Sequence, residues 1–391
     1  DQSDECIIWG EKAIAMAEEM ENEEILCHSL NNVGTMLSRI QSSRQKGLEM
    51  LQQSLDIALR NSYQEHAARA YTNLGNSAVV MRDYPFAKKI LEPGIQYCEE
   101  RDLDSWLVFM HSEKARMMFD MGHWEPAYRI AENIVNGEGD MNLAKVDALS
   151  VMAKIKMRKG EPGVLPLLMQ ANSIACETTE LQRMIPALVA CLEYEWITGK
   201  EFVENSAINY VLRLVDKVGN TYNNTEFAYW LLKARKQKAT IREFFPGYAL
   251  DTPSAALKAA GIWKQLGCPY EHALALFEAN EDDKKKALTI MHRLGATTII
   301  EKMKLEMRTS GIRSIPRGAR KTIRSNAANL TERELDILYL LKEGLQNKEI
   351  ASRLFISAKT VDNHISAIFY KLEVNTRIKA VQEASQLGIL K

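Results

Sequence analysis

The sequence predicts an all-α chain: stacked helical hairpins, then a small four-helix domain built on a helix-turn-helix. Three observations predict it. The first 300 residues read as amphipathic helices broken by short Gly/Pro turns, with strand-like alternation nearly absent. Turn signals recur at intervals of about 40 residues, the mark of a stacked array. The stretch "NKEIASRLFISAKTVDNHISAIFYKL", starting at Asn347, sets two helical apolar stripes on either side of a tight turn.

The chain has 391 residues, enough for two or three domains with a sizeable core. Its six Cys, at 6, 27, 98, 176, 191 and 268, form no CxxC pair and read as reduced, mostly buried thiols of a cytoplasmic protein. The seven His show no ligand spacing, so no metal and no cofactor is expected. The best apolar run, Ile185 to Leu192, is far shorter than the ~18 residues a membrane span requires. The chain opens on Asp, with no signal peptide before it, and is expected to be a mature or truncated piece of something longer. The net charge of −1 hides an asymmetry. From Ile312 onward there are 14 Lys/Arg against 8 Asp/Glu, whereas the preceding residues carry 36 against 43. A basic end on an acidic body suits a nucleic-acid module joined to a regulatory domain.

Within residues 1–311, the turns at Asp83, Gly122, Gly160 and Gly199 are almost evenly spaced. Tyr84, Ala87 and Ile90 are matched one interval later by Trp124, Ala127 and Ile130, and "NNVG" at 31–34 returns as "TNLG" at 72–75. One hairpin cannot bury its apolar face alone, so several must stack. Gly34, Gly75 and Ala115 let paired helices approach, and the aromatic after each turn fills the gap. Past Lys238 the period breaks, and "WKQLGCPYEHALALFE" and "MHRLGATTIIEKM" read as shorter hairpins that cap the array. Tyr71, Trp106 and Trp230 are candidates to line a concave groove, although aromatics at helical spacing are more often core.

Residues 312–326 carry five basic residues and no acidic one, with Gly, Pro and Ser/Thr, and read as a flexible linker. Four helices are expected in residues 327–391. Thr331 and Glu334 form a capping box, Leu330 and Leu335 a hydrophobic staple, and Gly344 a stop. Asn347 caps the second helix, which buries Ile350, Ala351 and Leu354. Ser357 caps the third, where Val361, Ile365, Ile368 and Leu372 face inward. Its other face holds Lys359, Asp362, Asn363, Ser366 and Tyr370, polar side chains suited to a major groove. Lys348, Arg353, Lys371 and Arg377 flank that face, and Thr360 completes the expected DNA-contact set. The fourth helix, capped by Asn375 or Thr376, presents Ile378, Val381 and Ala384 as a dimerisation stripe or as a last piece of the small core.

These residues resemble the LuxR-type helix-turn-helix of bacterial transcription regulators. The resemblance covers about 60 residues and rests on Leu330-Thr331-x-Arg333-Glu334, Gly344, Asn347 to Ala351, Ile356-Ser357, Thr360-Val361, His364, Lys371-Leu372 and Arg377. After Thr-Val the family often has a basic residue. Here Asp362 stands, able to accept from cytosine N4 but repelled by phosphate, so no base preference carries over. The array is similar to tetratricopeptide repeats, with units longer than the usual ~34 residues. The junction from "WKQLG" to "NLTERE" is similar to that of the large ATP-binding LuxR-family regulators, in which a nucleotide-binding module precedes the repeats. No GxxxxGK[ST] occurs; the Gly199-Lys200 pair is followed by Glu201 in a turn.

The resemblance implies a sequence-specific DNA-binding regulator whose repeats sense a small molecule or protein. Promoter DNA, RNA polymerase and a second copy of the chain are its expected partners. No HExxH, GxSxG, P-loop or paired-carboxylate pattern is present, so catalysis within these residues is not expected. The alternative is the C-terminal part of a signal-transduction ATPase whose nucleotide-binding module lies upstream.

Overall fold

An amphipathic helix of four or five turns leaves its apolar stripe in water unless a neighbour covers it. A computed structural model describes residues 2–137, 142–178, 180–215, 221–241, 244–312, 314–316, 328, 330–354 and 356–390, without the side chains of 2–4, 142, 221 and 332. Among the described residues there are helices and no strand. The chain divides into two compact units, Asp1–Pro316 and Arg317–Lys391.

The first unit opens with α1 (Gln2–Glu19), α2 (Glu23–Ser38), α3 (Arg44–Arg60), α4 (Gln64–Val80), α5 (Tyr84–Glu99) and α6 (Asp104–Asp120). It continues with α7 (Trp124–Asn136), α8 (Asn142–Lys159), α9 (Val164–Thr178), α10 (Leu181–Thr198), α11 (Asn205–Val215) and α12 (Thr221–Arg235). The helices α3, α5, α7, α9 and α11 begin at Arg44, Tyr84, Trp124, Val164 and Asn205, the same even interval that the sequence shows. The even-numbered helices α2 to α12 also pack on one another in series.

Small residues set the hairpin spacing. A Cβ on Gly47 of α3 would stand 2.3 Å from the Ser38 backbone nitrogen and 2.7 Å from the Gly34 carbonyl of α2. A Cβ on Gly75 of α4 would stand 2.5 Å from Leu91 of α5. Ala115 is fully buried, and Tyr84 and Trp124 after their turns are buried as expected. Tyr71, Trp106 and Trp230 all pack with the core, Trp230 almost completely. The turn at Asp83 is present: its left-handed residue is Arg82, at φ 60°, and Asp83 is the N-cap of α5, accepting from the Phe86 N–H.

The array curls until its early and late helices meet. Arg39 donates to Gln182 at 2.7 Å, Arg116 to Asn223 at 3.1 Å and Arg82 to Glu226 at 3.2 Å. Lys154 lies 3.5 Å from the other oxygen of Glu226. Burial alone would raise the Glu226 carboxyl, but Lys154, Arg82 and Arg116 outweigh it and hold the pKa at about 2. Arg116, Lys154, Asn223 and Glu226 line a cavity of about 30 Å³ together with Asp120, Asp147 and Ser150, room for one or two waters.

The closing helices α13 (Pro253–Leu266), α14 (Pro269–Phe277), α15 (Glu281–Leu294) and α16 (Thr297–Thr309) cover an edge of the array, where the sequence suggests an end cap. Tyr270 donates to Glu193 of α10 at 2.7 Å, and its ring lies 3.4 Å from the Arg158 guanidinium of α8. Arg158 grips Glu193 with two bonds of 2.8 and 3.0 Å. Cys268 meets the Tyr84 hydroxyl at 3.4 Å. These short helices therefore run back over the turns between hairpins. Ile312 and Ile315 also pack on this core, beyond the expected start of the linker; residues 317–326 of that linker lie outside the described residues. No helix among the described residues is long and apolar enough to cross a membrane.

Candidate nucleic-acid interface

The second unit is built by α17 (Glu332–Lys342), α18 (Asn347–Arg353), α19 (Ala358–Lys371) and α20 (Arg377–Gln386). Thr331 and Glu334 form the expected reciprocal capping box, and Gly344 ends the first helix at φ 82°. Ser357 caps α19 and Thr376 caps α20. Leu330, Ile337, Leu338, Ile350, Val361, Ile365, Ile368 and Leu372 make one buried core. With that stripe fixed inward, helical periodicity turns the other side of α19 to water.

The exposed face carries Lys359, Asp362, Asn363, Ser366 and Tyr370, and Tyr370 is 86% exposed. Lys359 and Asp362 stand 3.9 Å apart. The Ser366 hydroxyl donates back to the Asp362 carbonyl at 3.0 Å, so it serves the helix backbone first. Asn363 is exposed beside Asp362. Lys348 is exposed at the start of α18, and Arg353 at its end pairs with Glu343 at 3.0 Å. The Thr360 hydroxyl, expected on the DNA side, meets Ser357 Oγ at 2.8 Å within the cap.

Three sequence expectations need correction. Asn347 does not cap α18: Gln346 is the N-cap, in a capping box with Glu349. The signal is Gln346-x-x-Glu349, but Gln is a poor match to the Ser/Thr that usually opens such a box. Lys371 does not join the exposed face. Its ammonium lies 2.7 Å from Glu334, a carboxylate almost entirely buried, and so ties the end of α19 to the start of α17. Ala384, placed in the dimerisation stripe, is fully buried in the domain core together with Ala380. Val381 is half-buried on the same core, and only Ile378, at 73% exposure, stands clear. The turn of α20 sets this split, since Ala380 and Ala384, four residues apart, share the inward face, while Ile378, two residues before Ala380, falls on the opposite side.

Arg377 is exposed yet engaged: Nη2 donates to Asn347 Oδ1 at 2.7 Å and Nη1 to the Leu345 carbonyl at 3.4 Å. Burial alone would raise the Glu334 carboxyl. Hydrogen bonds from Lys371 and the Thr331 N–H outweigh that and hold it below the usual carboxylate range.

Two short helices joined by a tight turn, with the second presenting a polar outer face, define a helix-turn-helix protein. Residues 328–384 match the model of the family described as bacterial regulatory proteins, luxR family, and the second unit is a luxR-type DNA-binding domain of that family. A Mycobacterium tuberculosis (strain H37Rv) protein named as an HTH-type transcriptional regulator is 42% identical over 72 residues, 18% of this chain and 8% of its own length. The transcriptional regulatory protein DesR of Bacillus subtilis is 39% identical over 89 residues, 21% of this chain and 45% of its own. The response regulator VraR of Staphylococcus aureus is 49% identical over 61 residues, 16% and 29% of the two chains. The match thus spans less than half the length of each relative. Among solved structures, a circular tandem repeat protein covers 98% of this chain at 12% identity with a TM-score of 0.17, below the level at which a shared fold is claimed.

Proposed function

We propose that this chain is a sequence-specific, promoter-binding regulator of transcription, in which the hairpin array senses a small molecule or protein and controls the luxR-type domain. The observation that carries this reading is the exposed polar face of α19 on a basic domain of regulator type. Relatives named as transcriptional regulators support it. Lys348, Arg353 and Lys359 hold the duplex through phosphates, while Asp362 and Asn363 read base edges with Ser366 and Tyr370 beside them. Lys371 and Arg377 serve the domain's own architecture. The reading places the protein in the cytoplasm with RNA polymerase as a partner. Binding of the full chain to duplex should weaken with salt, log affinity falling by about 0.9 per phosphate neutralised for each unit of log salt. No detectable affinity at low salt overturns the reading.

Control acts through pairing. One domain of this size reads one half-site, and joining two raises the effective concentration of the second. The contact we propose centres on Ile378, with Val381 at its edge. Replacing residues 1–311 by an unrelated dimerising domain should give effector-independent binding to a two-half-site operator. Ile378→Asp should then weaken that complex more than binding to a single half-site; equal loss on both would assign Ile378 another role.

A further inference from the structure

The Gln346 cap leaves the Asn347 amide free of capping duty, and its position uses that freedom. Asn347 sits where α18, α19 and α20 converge. Its Oδ1 accepts from Arg377 at 2.7 Å, and its Nδ2 reaches Asp362 Oδ1 at 3.5 Å. The other Asp362 oxygen faces Lys359 at 3.9 Å. An arginine can only donate and a carboxylate can only accept. Rotating the amide by half a turn would oppose donor to donor and acceptor to acceptor, so Arg377 fixes which end of Asn347 meets Asp362. The Leu345 carbonyl in turn holds Arg377 in place from the loop before α18.

We propose that Asn347 is a positioning residue for base recognition, oriented by Arg377, and that it sets the direction in which the Asp362 carboxylate meets the duplex. Asp362 is exposed and, without the amide, could swing toward Lys359 or into solvent. With it, one oxygen is restrained and the rotamer facing the groove is fixed in advance. This inference rests on Asp362 reading a base. It assigns specificity to a side chain on the helix before the recognition helix, and explains why Arg377, exposed and basic, turns inward.

The test is selection of duplexes from a random pool by the full chain and by its Asp362→Ala, Asn347→Ala, Asn347→Asp and Lys348→Ala variants. Asp362→Ala should lose about tenfold discrimination at one base position. Asn347→Ala should lose discrimination at that same position, and the double variant should lose no more than Asp362→Ala alone. Lys348→Ala should lower affinity for all sequences alike. Asn347→Asp keeps the acceptor for Arg377 and the size of the side chain, but turns a carboxylate toward Asp362. It should shift the preference at the same position, and it carries the test if Asn347→Ala does not fold. An unchanged preference in the Asn347 variants, with Asp362→Ala altered, overturns the inference and leaves the reading role of Asp362 standing. An unchanged preference in Asp362→Ala overturns both.

Discussion

Single side chains on and behind α19 divide into those that face water and those that hold the domain, and the two groups should respond differently. Asn363→Ala should relax preference at one base, worth about 1–3 kcal/mol, whereas Lys359→Ala should weaken all duplexes and flatten the salt dependence by about 0.9. Binding-site selection at two salt concentrations distinguishes them. Lys371→Met removes the cation from the buried Glu334 and should lower the stability of the second unit by about 1–3 kcal/mol without changing base preference. The depressed folded pKa of Glu334 stabilises the fold above its unfolded value of about 4.3, and that contribution is lost as pH falls through the folded value. Urea unfolding at pH 7 should therefore separate Lys371→Met from the parent, and the gap should narrow in acid. The polar face was legible because periodicity alone assigns Val361, Ile365 and Ile368 inward. The partners of Lys371 and Arg377 lie on other helices, 37 and 30 residues away, which no single-helix pattern reports.

At the scale of elements, caps and crossings carry the local energetics. Gly47→Val should destabilise the α2–α3 hairpin by at least about 2 kcal/mol, because its Cβ meets backbone atoms that have no rotamer to yield. Ser62 gives the opposite case: it is exposed, holds φ 59° between α3 and α4, and bears a left-handed penalty that glycine avoids. Ser62→Gly should stabilise by roughly 0.5–1 kcal/mol after glycine's own entropy cost. Thermal unfolding of the two variants reads both effects. Helix starts at Thr331, Ser357 and Thr376 were legible because a short hydroxyl side chain bonds its own backbone. The turns before α4 and α6 were less so. Their left-handed positions are filled by Ser62 and Asp102, with no glycine to mark them.

For the first unit as a whole, the decisive side chain is Glu226 of α12, which joins Arg82 from the turn between α4 and α5 and Lys154 of α8. Glu226→Gln removes the shared carboxylate partner of two buried cations and should destabilise by about 3–5 kcal/mol at pH 7. The folded pKa is depressed to about 2, so the contribution is complete above the unfolded value and disappears as pH falls from about 4 to about 2. Denaturant unfolding of parent and variant across that range should converge. The even period of the turns made the hairpins legible. It could not show the curl that brings Arg39 to Gln182, since contacts 143 residues apart leave no periodic trace.

The closing helices give this unit a mechanical character that an open row of repeats lacks. In a linear row each unit touches only its neighbours, so the ends fray first and the middle holds longest. Here Tyr270, Cys268 and Arg158 staple α14 to α5, α8 and α10 at once. Opening any one hairpin strains the staple on the others. Amide protons in α5 and α10 should therefore exchange with one shared free energy, and the body should behave less like a spring than like a buckled belt, closed or undone.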